Sequence, residues 1–130
     1  MHLLLYIQVK ANEDIQFGNP YSDLTNPDEN LMLLDADNHS EDLVINHQIQ
    51  MIEEATRVIL ILDVNHDIAP GSIVRLLEKL FRKKNSHVSI FLNGENAIIA
   101  NMLKLTTGEI HSQLDQQSLK AAIEGLVSSH

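Results

Sequence analysis

The chain has no cysteine, which excludes disulfides, thiolate metal centres and cysteine nucleophiles. Small secreted domains more often carry such staples, so the absence points to a cytoplasmic protein. No apolar run is long enough to span a membrane, and no membrane association is expected. The apolar start, Met1-His2-Leu3-Leu4-Leu5-Tyr6-Ile7, lacks a basic leader and soon meets Gln8 and Lys10, so it reads as a first core strand and not as a signal peptide. There is no G-x-S-x-G elbow, no P-loop and no G-x-G-x-x-G fingerprint. Serine hydrolase, nucleotide triphosphatase and dinucleotide-binding readings therefore have no positive support.

Positive charge is also scarce and unevenly placed. From Met1 to Asp67 there are 13 acids and 2 bases, net −11; from Ile68 onward there are 5 acids and 7 bases, net +2. A nucleic-acid binder would show a basic stripe over much of one face, so no nucleic-acid partner is expected. An acidic half suits a basic protein partner or a divalent cation. The chain's 130 residues, 44% of them hydrophobic, suffice for one domain with a packed core.

Strand and helix patterns alternate. His2 to Val9 reads as a strand, and Lys10 to Asn30 as a loop rich in turn residues, with room for a short edge strand around Ile15 to Phe17. Leu31 to Leu34 is a short buried strand; Ser40 looks like the N-cap of a helix running to about Ala55 and burying Leu43, Ile45, Ile49 and Ile52. Arg57 to Leu62 is the clearest strand, apolar enough to be covered on both faces. A helix opened by Pro70-Gly71 follows, its apolar stripe made of Ile73, Leu76, Leu77, Leu80 and Phe81, and Asn85 closes it. Val88 to Leu92 is the next strand. After it come a shorter helix with Ile98, Ile99, Met102 and Leu105 inward, stopping near Gly108, and an edge strand within Glu109 to Leu114. A final helix, capped by Asp115, carries Leu119, Ala122, Ile123, Leu126 and Val127 inward. The expected fold is a single α/β domain over residues 1–130: one open, mostly parallel sheet of about five strands flanked by about four helices, an alternation that flavodoxin-like domains share. The first two strands have no convincing helix between them and are expected to pair antiparallel.

In open α/β sheets ligands bind beyond the carboxyl ends of the strands. Three strand ends are polar: Asp35 with Asp37, Asp63 with Asn65 and Asp67, and Asn93 with Glu95. If the second, third and fourth strands are neighbours, Asp35, Asp37, Asp63 and Asp67 converge as hard oxygen ligands for magnesium, the metal of a small phosphate- or nucleotide-handling enzyme. The alternative is that these residues simply form turns and caps. His39 and His66 each follow such an aspartate and are candidates for an acid/base or metal pair.

From Arg57 onward the pattern resembles the STAS domain family, the fold of bacterial anti-sigma-factor antagonists. The likeness runs through the strand Arg57 to Asp63, a glycine-containing turn, the helix Ser72-Ile73-Val74-Arg75-Leu76-Leu77 with its basic end, the strand Val88 to Asn93, and Met102-Leu103-Lys104-Leu105-Thr106-Thr107-Gly108, which is similar to that family's leucine-threonine-glycine stretch. It implies a regulatory protein-binding module. In the family an Asp-Ser-Ser-Gly turn carries a phosphorylated serine; here the turn is Ile68-Ala69-Pro70-Gly71, with Ser72 adjacent. The expected function is therefore a non-catalytic regulatory or interaction module without that phosphoacceptor and without a cofactor. Its surface would be His66, Asp67, Pro70, Gly71, Ser72, Arg75 and Lys79, and it would bind a protein partner or a second copy of itself.

Overall fold

The computed structural model describes residues 2–16, 31–83, 87–106, 109–112 and 116–127. Five strands, β1 (His2–Val9), β2 (Leu31–Asp37), β3 (Arg57–Val64), β4 (His87–Asn93) and β5 (Glu109–Ser112), form one sheet in the order β2-β1-β3-β4-β5. Every pairing is parallel. This order is that of flavodoxin-like sheets. Four helices accompany them: α1 (Asp42–Glu54), α2 (Ile73–Phe81), α3 (Ala97–Leu103) and α4 (Gln116–Val127). No helix among the described residues is long and apolar enough to cross a membrane.

The antiparallel pairing expected of the first two strands is not what forms: His2 to Gln8 pair in parallel with Leu31 to Asp37. A parallel return needs about a dozen residues or more, helical or not. The 21 residues from Lys10 to Asn30 are enough. A connection of that length permits the parallel return.

Side chains alternate between faces along each strand. Leu3, Leu5, Ile7 and Val9 of β1 join Val58, Leu60, Leu62 and Val64 of β3 on a front face covered by α1, α2 and α3. Leu4 and Tyr6 join Ile59, Ile61 and Phe91 on a back face where α4 packs through Leu119 and Ile123. Nearly all these side chains are fully buried, each contributing roughly 1.5–3 kcal/mol. The central place of β3 accounts for its unbroken apolar run.

Three helices depart in detail from the sequence pattern. Ser40 does not cap α1: its Oγ accepts from the Asp37 amide at 2.9 Å, closing the preceding turn, and Glu41 becomes the N-cap without a side-chain bond. Residues 43 and 45 lie about 200° apart on a helix, so with Ile45 buried Leu43 points outward and is 79% exposed. The inward position is taken instead by Gln48, whose Nε2 donates to the Asp35 carbonyl at 2.7 Å. In α3 the inward residues are Ile99 and Leu103, with Met102 partly buried, whereas Ile98 and Leu105 are about half exposed (49% and 48%). The stripe of α2 is buried as expected, but Pro70 precedes the first helical residue by three positions. Ile15 and Gln16 form no strand; a short 3-10 turn, Asn12–Asp14, precedes them. Phe17 and the rest of the loop to Asn30, the Asn85 stop, Gly108, Asp115, and the side chains of Leu126 and Val127 lie outside the described residues.

Candidate functional site at the carboxyl edge of the sheet

The strand order reverses between β1 and β3, so the crevice at their carboxyl ends is the fold's ligand-binding position. The back-facing residues of β1 grow more polar toward it: Leu4, Tyr6, Gln8, then Lys10. Registered with them is a polar row across the sheet, Asp37–Gln8–Asp63–Asn93. Asp63 is its centre. Its Oδ2 lies 2.8 Å from the Lys10 ammonium and accepts from the Tyr6 hydroxyl at 3.1 Å. Its Oδ1 accepts from Asn93 Nδ2 at 3.3 Å. The Lys10 side chain is only 10% exposed and that of Asp63 22%.

Neighbouring groups hold this centre in place. Gln8 exchanges two hydrogen bonds with the backbone of Gln16, at 2.8 and 3.0 Å, folding the segment after β1 over its end. The Lys10 amide donates to Asn38 Oδ1 at 3.0 Å. The turn after β3 is gripped from both sides. Asn96 caps α3 by accepting from the Ile98 and Ile99 amides, while its Nδ2 donates to the carbonyls of Asn65 and Ile68 at 2.9 and 2.6 Å. Gly71, at φ +57°, lies so near that a Cβ would sit 2.4 Å from the Asn38 carbonyl oxygen; Gly94, at φ +95°, lies equally close to Val64, with 2.1 Å to its carbonyl oxygen. Only glycine fits either place.

The four aspartates considered as magnesium ligands are spread out. β1 separates β2 from β3, so Asp37 stands two strand spacings, about 10 Å, from Asp63. Carboxylates sharing one ion lie within about 5 Å. Asp35 is exposed, one row lower, opposite Tyr6. Asp37 Oδ1 accepts from the His39 amide at 2.7 Å. The Asp67 side chain is 90% exposed and lies 3.5 Å from His66. His39 meets Asn38 at 3.5 Å, and His66 meets Asp67, so the two histidines have separate partners. Among the described residues no three histidine or carboxylate side chains are placed to hold a metal ion.

The expected interaction surface divides in two. His66, Asp67 and Gly71 are exposed, but Pro70 is buried, and the Ser72 hydroxyl oxygen is buried without a hydrogen-bond partner. The packing of this turn beneath Asn38 and Asn96 draws Pro70 inward while Gly71 stays exposed. Arg75 and Lys79 instead face α1, where Arg75 lies 4.0 Å from Asp42 and Lys79 lies 2.8 Å from Glu53. The ammonium of Lys83 donates to the Glu53 carbonyl at 3.1 Å, near the carboxyl end of α1. The hydrogen bond from Lys79, reinforced by its charge, lowers the Glu53 pKa below the ordinary carboxylate value. Between the helices lies an open groove of about 530 Å³.

Lys10 is a residue of this centre that the sequence pattern does not single out. The available signal was its isolation: it is the sole Lys or Arg before Arg57. Comparison with protein-family models, curated proteins and solved structures found no match to this chain.

Proposed function

We propose that the protein is a non-catalytic, cytoplasmic regulatory or protein-interaction module whose ligand-binding crevice is closed by its own side chains. The observation that carries this reading is the Lys10–Asp63 contact of 2.8 Å at the switch point. The ammonium occupies the side of the carboxylate that a divalent cation would need, and Tyr6 and Asn93 take further acceptor capacity. The resemblance to STAS domains from Arg57 onward supports a regulatory role. Ser72 is a poor phosphoacceptor, because its hydroxyl oxygen is buried.

A magnesium titration followed by amide NMR tests the proposal. The expected result is no saturable shift at Asp63, Asp35 or their neighbours at millimolar metal. A saturable shift centred on Asp63 would replace this reading with a metal-dependent one.

A further inference from the structure

Lys79 and Lys83 are both engaged with Glu53 at the carboxyl end of α1. The two guanidiniums of the groove are held less tightly. Arg75 reaches Asp42 only at 4.0 Å, and Arg82 is exposed with no partner among the described residues. The groove is lined by four cations and two carboxylates, Glu53 and Glu78, above the fully buried Ile52. It is thus a net-positive surface on a chain of net charge −9.

Building on the interaction-module reading, we propose that the α1–α2 groove docks a short acidic segment of a partner protein, with Arg75 and Arg82 as its two anchors. The spacing defines the segment. Seven residues of helix separate the anchors by about 10 Å. An extended peptide covers that span in three to four residues at about 3.3 Å each, and its side chains share a face only at even spacing. Two carboxylates at positions i and i+4, with an apolar side chain at i+2 on the same face lying on the aliphatic stems of the basic side chains, match both anchors, the long arginine side chains taking up the remaining difference of about 3 Å. Arginine suits the role because its planar fork binds carboxylate bidentately. The chain's strong negative charge disfavours extended polyanions such as nucleic acid or an anionic bilayer, which would meet the acidic remainder as well as the groove. A short peptide meets the groove alone.

The test uses the full chain and a fluorescein-labelled peptide carrying two glutamates four positions apart with a leucine midway between them, read by anisotropy and by amide NMR. Binding is expected to map to α1 and α2, to weaken at least tenfold in Arg82→Glu, and to change less than twofold in Lys104→Glu, an equal charge change on an exposed residue outside the groove. Raising salt from 0.05 to 0.5 M should weaken it by about tenfold or more. Circular dichroism of Arg82→Glu should match the parent, because the residue is exposed. Equal losses in the two variants, or no binding by the folded chain, overturn the proposal. So does Arg82-dependent capture by phosphatidylserine vesicles without peptide binding, which makes the occupant a membrane. Arg82-dependent dimerisation in sedimentation equilibrium makes it a second copy and overturns it equally. None of these outcomes bears on the magnesium titration, so groove and crevice stand or fall separately.

Discussion

Replacing Lys10 by methionine keeps most of the side chain's length and removes its charge. Asp63 then has lost its cation, with 22% of its side chain exposed. Breaking a fully buried pair costs about 3–5 kcal/mol, and losing a hydrogen bond to a charged group about 1.5–3 kcal/mol. Asp63 keeps Tyr6 and Asn93 as donors and some contact with solvent, which places the expected loss near the lower range, about 2 kcal/mol. For a domain of this size that is roughly 7 °C in Tm. Urea unfolding followed by far-UV circular dichroism measures it. The double variant Lys10→Met, Asp63→Asn removes the stranded charge and should recover part of the loss, with a coupling of about 1–2 kcal/mol. If Lys10→Met is as stable as the parent, or if the two single effects add without coupling, the pair is not the centre of the crevice.

Other substitutions follow the same logic. Gly94→Ala should destabilise by roughly 1–3 kcal/mol from its backbone conformation alone, more once the clash with the Val64 carbonyl is added; thermal melts measure this. Asn96→Ala should cost about 1–2 kcal/mol as a lost cap and also release the turn after β3, seen as faster amide exchange near Ile68. Leu43→Ser should change stability by less than about 0.5 kcal/mol, whereas Ile45→Ala should cost about 2–5 kcal/mol, a difference that denaturant melts resolve. Because the Glu53 pKa is lowered in the folded state, its stabilising contribution is present above the unfolded carboxylate pKa and disappears as pH falls through the folded value. The stability gap between the parent and Glu53→Gln should therefore be present at pH 7 and close in acid.

The apolar runs of β1, β3 and β4 and the stripe of α2 state their places openly, because burial on a sheet or helix face requires that periodicity. The phase of α1 was not legible. Leu43 looks inward by composition, and only the position of the first helical turn, set by Ser40 bonding Asp37, turns it outward and Gln48 inward. The crevice was hidden for a different reason. Asp63 announces itself as an acid ending a strand, but its meaning depends on which strand lies beside it. Strand order is a long-range property: the neighbour of β3 is β1, bearing Lys10, and not β2, bearing Asp35 and Asp37.

That same order has a consequence for synthesis. β1 is made before one of its two partners, β3, which begins at Arg57, opposite His2. Until the ribosome has released the chain through Val64, a largely apolar strand has an open edge and an uncovered back face. Such pairing across long sequence separation is slow and exposes the chain to aggregation. Fragments that stop before β3 should therefore be insoluble, while the complete sheet encloses β1 from both sides. The most buried strand of the finished protein is the most vulnerable segment of the unfinished one.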